Sequence, residues 1–229
     1  MKKLSVIPNT NETIFGFIYL AIQMTVLQPI LVLIGMLISV PISETVLNFI
    51  FFAINFICIT ILLHRFLIAS GKIALGNIFG TLRGAFLGFA VYWLLNISIS
   101  LLIQKISPDF FNVNDSSIAE LTKDNYTLMA IGTVLLVPIT EEVLYRGLIF
   151  GRLYNFNQIL AYTVSTVVFC ALHVVGYIGL YSPLQLLLCL IQYVPAGLCL
   201  GWAYAKTGTV WAPILIHITI NQIAISSMR

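Results

Sequence analysis

The residues able to do chemistry stand out because so little around them is polar. In Ile139-Thr140-Glu141-Glu142-Val143-Leu144-Tyr145-Arg146-Gly147 an acid and a base lie four apart, acid first. On a helix that order suits an ion pair between Glu142 and Arg146 on one face. Adjacent Glu141 points about 100° away and is left to face something else. Burial would suit it to general base work; the plainer reading is a structural charge cluster near an interface. His173 follows Phe169 by one turn, so the ring could wall the imidazole; alternatively His173 is a lone histidine bonded to a backbone carbonyl. His217 and Asn221 are again four apart and share a face. They could be helix–helix glue or paired donors for an oxyanion. His64, beside Arg65, reads as an interface residue.

Together these groups support hydrolysis of an amide. Water activated by Glu141 and His173 would attack a carbonyl, and His217 with Asn221 would stabilise the oxyanion. No Ser-x-x-Lys and no activated cysteine offers a covalent nucleophile, and His-Glu-x-x-His is absent. Glu141, His173 and His217 could instead form a three-ligand zinc site with one open position. Asn221 is a poor zinc ligand and its pairing with His217 suits hydrogen bonding better, so no cofactor is favoured.

The elements that must position these residues are membrane helices. Only 8% of the 229 residues are charged and 60% are hydrophobic, where a soluble domain carries about 25% charge. That excludes an ordinary soluble enzyme and a disordered chain. Residues 13–43, 84–104, 125–140, 153–205 and 207–228 contain no Asp, Glu, Lys or Arg, and a span needs roughly 20 apolar residues. The stretches lack the alternation of barrel strands. The expected fold is an all-α polytopic transmembrane bundle of about seven spans, near 14–38, 46–68, 80–103, 126–152, 158–176, 183–205 and 209–227. Pro29, Pro138 and Pro195 fall inside spans and predict kinks; an opening at Pro138 could aim the two glutamates into a cavity. Cys58, Cys170, Cys189 and Cys199 form no Cys-x-x-Cys pair and read as small buried hydrophobes.

The Lys/Arg bias sets orientation. With the N-terminus cytosolic, the inner side holds Lys2, Lys3, Arg65, Lys72, Arg83, Arg146, Arg152 and Lys206, against Lys105, Lys123 and Arg229 outside. Residue 157 lies midway between Glu141 and His173, so two helices leaving one turn carry both to one level. With Arg146 and Arg152 protruding into the cytosol, that level, and His217 with it, falls on the cytosolic side of the midplane. The net charge of +3 does not suggest nucleic acid.

At these residues the chain resembles the CAAX protease and bacteriocin-processing (CPBP or Abi) family of intramembrane proteases. The resemblance rests on three motifs in order: Glu-Glu-x-x-x-Arg (Glu141, Glu142, Arg146), Phe-x-x-x-His (Phe169, His173) and His-x-x-x-Asn (His217, Asn221). It implies a membrane protease with its site open to the cytosol, Glu141 and His173 activating water and His217 and Asn221 forming the oxyanion hole. The family is often labelled a metalloprotease, with a metal-free glutamate mechanism as the competing view. Shortness and seven spans distance the chain from prenyl-protein members; the resemblance to bacterial-type members implies processing of a peptide of bacteriocin or pheromone type at a bacterial plasma membrane. Residues 1–125 read as a three-span scaffold with a polar outer loop, and 126–229 as a four-span catalytic core. Two other classes are a non-catalytic immunity or chaperone-like membrane protein of the same fold, and a proton-coupled transporter; the lack of a visible repeat counts against the latter.

Overall fold

The computed structural model describes residues 3–37 and 42–228. Lys2 and Arg229, counted in the charge bias, lie outside them. Among the described residues the chain is helical throughout: α1 (Thr10–Leu37), α2 (Glu44–Leu62), α3 (His64–Gly76), α4 (Ile78–Ile106), α5 (Val113–Asp124), α6 (Tyr126–Phe156), α7 (Gln158–Leu172), α8 (Pro183–Thr207) and α9 (Trp211–Ser227). Six helices are long and apolar enough to cross a membrane: α1, α2, α4, α6, α8, and α7 with the short 3-10 turn that follows it. The seventh expected span is helical too, but α9 has 17 residues. At 1.5 Å per residue it covers about 25 Å, a little less than the ~30 Å hydrocarbon core.

Two segments expected as loops carry helices. The span expected to end at 68 breaks at Leu63, whose backbone leaves the helical region, and α3 then runs through what was read as an inner loop at 69–79. In the outer loop, Asn112 accepts from the backbone of Asn114 and Asp115 and starts α5. Neither helix has the apolar length of a span, so hydropathy does not reveal them.

The bundle has two distinct ends. One carries α3, the α6–α7 turn at Asn157 and the α8–α9 turn at Gly208, where the backbone is left-handed (φ 74°). N-terminal residues close this basic end. Leu4 and Asn155 exchange two hydrogen bonds, and Tyr204 donates to the Val6 carbonyl. Arg152 reaches the Pro8 carbonyl and the Thr13 hydroxyl, and the Glu12 carboxylate accepts from the Phe66 backbone. The other end carries α5 and the α7–α8 loop. The largest apolar core spans both halves of the chain, joining Tyr19, Ile59 and Phe66 to Leu148, Phe150, Leu200 and Ile214. α6 is central, with α1, α2, α7, α8 and α9 packed on it.

Two of the three prolines follow a widened helical turn, by one mechanism. A proline ring collides with the carbonyl four residues earlier and removes a donor. For Pro29 and Pro138 those carbonyls belong to Thr25 and Val134, which lie inside π-helical turns, Gln23–Leu27 and Gly132–Leu136. Widening the turn relieves the collision. A longer π segment, Glu142–Phe150, follows directly after Glu141. Pro195 is carried within regular α-helix.

Candidate active site

The π-wound α6 presents its two acids in different directions, as a helix must. Glu142 is fully buried, and its Oε1 accepts from Arg146 at 3.2 Å and from His217 Nδ1 at 2.8 Å. The pairing with Arg146 matches the sequence reading; the second partner was not expected, because nothing in the spacing brings α9 to α6. Arg146 is itself wholly buried, donating to the Gly197 carbonyl at 3.3 Å and lying 4.5 Å over the Phe169 ring. A buried charge is tolerable only when paired and hydrogen-bonded, and this triad of acid, guanidinium and imidazole supplies that.

Glu141 faces the other way, toward α7. Its Oε2 is buried without a hydrogen-bond partner and stands 4.0 Å from His173 Nε2. His173 caps the end of α7, and its Nδ1 is 2.8 Å from the Phe169 carbonyl. A carbonyl only accepts, so Nδ1 carries a hydrogen, and in its neutral form the ring turns the Nε2 lone pair toward Glu141. The imidazole is sandwiched between Phe169 (4.5 Å between centroids) and Tyr193 of α8 (4.4 Å). The Tyr193 hydroxyl donates to the Asn112 or Asp115 side-chain oxygen, at 3.1 and 3.3 Å, and accepts from Asn114. Asp115, at the start of α5, has its carboxyl pushed up by burial, against the lowering pull of the Tyr193 hydroxyl and the His173 imidazole. Sequence reasoning missed Tyr193, one of ten tyrosines with no motif around it.

His217 and Asn221 do share the cavity-facing side of α9, but they do not bond each other. Asn221 Nδ2 donates to the Thr133 carbonyl at 2.7 Å. The helical ladder explains why that acceptor is free. The Val137 N–H bonds to Gly132, five residues back, and Pro138 has no N–H to offer. Thr133 O is left over, and Asn221 takes it. One amide hydrogen of Asn221 stays available.

Among the described residues no group of three or more His, Cys, Asp or Glu side chains is placed to hold a metal ion.

Glu141, His173, His217 and Asn221 all line one cavity of about 860 Å³. Its other walls include Glu44, Asn114, Asp115, Ser117 and Met228, from the α5 end, and no residue of the sealed basic end. Glu141 sits fifteen residues from either end of α6. The expected placement nearer the basic end assumed that Arg146 and Arg152 protrude, but Arg146 is buried and Arg152 folds back onto Pro8 and Thr13. The cavity's lining therefore lies away from the end that residues 4–13 close.

Residues 123–223 match the family described as type II CAAX prenyl endopeptidase Rce1-like. The resemblance carried by the three motifs is thus borne out over the segment that holds all of them. Two curated relatives also align with the chain. One, from Bacillus subtilis (strain 168), bears the name "Putative membrane peptidase YdiL" and is 32% identical over 99 residues, 43% of this chain. The chain spans 36% of that relative's length. The "UPF0177 protein YxdF" of Lactococcus lactis subsp. lactis (strain IL1403) is 23% identical over 149 residues, 61% of this chain and 77% of that protein. No solved structure matches significantly. The six apolar helices make this an integral membrane protein, and residues 123–223 are similar to a membrane-protease family.

Proposed function

We propose that the chain is an intramembrane endopeptidase in which Glu141 and His173 activate water. The observation that carries this is the 4.0 Å separation of Glu141 Oε2 and His173 Nε2. Both atoms are acceptors, so they suit a molecule that donates twice, and one water fits within hydrogen-bond reach (about 2.8 Å) of each. Its oxygen lone pairs then face the cavity. As the water oxygen bonds to the scissile carbonyl carbon, one proton passes to the Glu141–His173 pair. The carbonyl oxygen becomes an oxyanion facing His217 Nε2 and the second Asn221 N–H. His217 donates from Nε2 while its Nδ1–H rests on Glu142, so it acts as an imidazolium with the carboxylate as counter-charge and Arg146 fixing that carboxylate. When the C–N bond breaks, the held proton goes to the leaving nitrogen. The products are a carboxylate and an amine, and no covalent enzyme intermediate forms.

The substrate would be a membrane-inserted peptide or protein, of bacteriocin or pheromone type, in a bacterial plasma membrane. The bacterial relatives support this, as does the polar-lined cavity within the spans. The test is comparative mass spectrometry of membrane and secreted peptides from cells expressing wild type or Glu141→Gln at equal levels. Peptides whose termini depend on Glu141, and persist when a chelator is added to purified protein, are the expected result. Identical peptide sets with the native phenotype retained would replace the enzyme by a non-catalytic immunity or chaperone-like role.

A further inference from the structure

The reacting groups occupy only part of the cavity, and residues outside the Rce1-like segment build much of the rest. At about 860 Å³ it lies in the upper part of the range that encloses a drug-sized ligand, far more than one water and one carbonyl need. Gln23 and Gln28 of α1, Asn48 and Asn55 of α2 and Asn96 of α4 all line it. The two asparagines of α2 are bonded within the protein: Asn48 to the Glu44 carbonyl, Asn55 to Tyr19 and the Phe51 carbonyl. Among the described residues Gln23, Gln28 and Asn96 have no such side-chain partner, and the Gln23 Oε1 is buried and unpaired.

Unpaired amides inside spans are costly, and their chemistry is specific. A carboxamide offers both donors and an acceptor without charge, matching a peptide group and neither a lipid chain nor an ion. A substrate cut within the bilayer must leave the helical state around the scissile bond. Its freed backbone N–H and C=O groups then have no water to bond, which costs several kcal/mol per group unless the protein supplies partners. Gln23 sits at the start of the π turn ahead of Pro29, the same device that opens α6 beside the catalytic acids.

Resting on the protease reading, we infer that the first three spans are a subsite for the backbone of an extended, unwound polypeptide segment, with Gln23 and Asn96 pairing to its peptide groups. This makes residues 1–122 part of substrate recognition, and it selects polypeptides able to unwind in the bilayer without requiring a particular side chain at each position.

The experiment uses purified full-length protein in liposomes and a synthetic segment of about 20 residues, one span length, centred on a Glu141-dependent cleavage site. Variants are Gln23→Met and Asn96→Leu, which keep bulk, with Gln222→Leu as a polar control outside the cavity lining, where Gln222 bonds only to Ser226. Loss of one net hydrogen bond predicts a fall in kcat/KM of about fivefold to tenfold for each cavity variant and none for the control. Ester replacement of single substrate peptide groups, away from the scissile bond, removes one backbone N–H at a time. At the paired position the ester should slow wild type by a similar factor but leave the matching variant unaffected, a coupling that misfolding cannot mimic. Unchanged kinetics in both variants, with Glu141→Gln inactive, would overturn the subsite and keep the protease. Strictly additive ester and variant effects at every position would also overturn it. No Glu141-dependent cleavage at all would overturn the protease reading, and the subsite with it.

Discussion

Glu142→Gln tests whether the buried triad is the structural heart of the site. The substitution keeps size and one acceptor but removes the only negative charge hydrogen-bonded to Arg146, itself fully buried. What remains to the guanidinium is the Gly197 carbonyl at 3.3 Å and the Phe169 face at 4.5 Å, both neutral. Arginine cannot shed its proton to escape. Stranding one member of a buried pair costs about 3–5 kcal/mol. Arg146→Met should cost less, because Glu142 keeps its 2.8 Å bond to His217 and can take up a proton; loss of one charged hydrogen bond suggests about 1.5–3 kcal/mol. The double variant removes both charges and should cost no more than Glu142→Gln alone. Unfolding by SDS in mixed micelles reports these values, followed by a thiol-reactive dye, because Cys170, Cys189 and Cys199 are free and buried. Both variants that carry Glu142→Gln should lose Glu141-dependent cleavage, since His217 loses its carboxylate. A cost below about 1 kcal/mol for Glu142→Gln, or a double variant equal to the sum of the singles, would refute the reasoning.

Pro138→Ala should move stability and activity in opposite directions. Restoring a backbone donor favours the helix but competes with Asn221 for the carbonyl at 133, so cleavage should fall at least about tenfold from a misplaced oxyanion donor; unchanged turnover would sink the ladder argument. Tyr193→Phe keeps the ring 4.4 Å from His173 and should retain most activity, whereas Tyr193→Leu loses the stack and should cost about tenfold. Equal losses in both variants would shift the role from ring to hydroxyl. For orientation, the Lys/Arg bias predicts that a membrane-impermeant maleimide labels Ser117→Cys on intact cells and leaves Lys72→Cys unlabelled until lysis. The reverse pattern would place the cavity mouth in the cytosol.

The sequence alone specified the class of fold and singled out the candidate site residues, because both are local signals. Charge-free runs of span length leave few alternatives to helices in a bilayer, and acids, imidazoles and an amide inside such runs are too costly to be incidental. Fourfold spacing was enough to pair Glu142 with Arg146 and to put His217 on one face with Asn221. What helical spacing could not supply is contact between helices distant in sequence. That His217 rests on Glu142, 75 residues away, and that Asn221 fills a carbonyl left over by Pro138 on another helix, were decided by packing. So was the ring of Tyr193 over His173. Depth misled for a related reason: arginine was read as an interface marker, but tertiary structure can hide a guanidinium when it also supplies a carboxylate, a carbonyl and an aromatic face. Span-by-span reading likewise made the first three helices a scaffold, since neutral amides carry no charge to draw attention. Only the fold shows that the first three spans share a wall with the candidate site residues, because a cavity belongs to surfaces that no single helix contains.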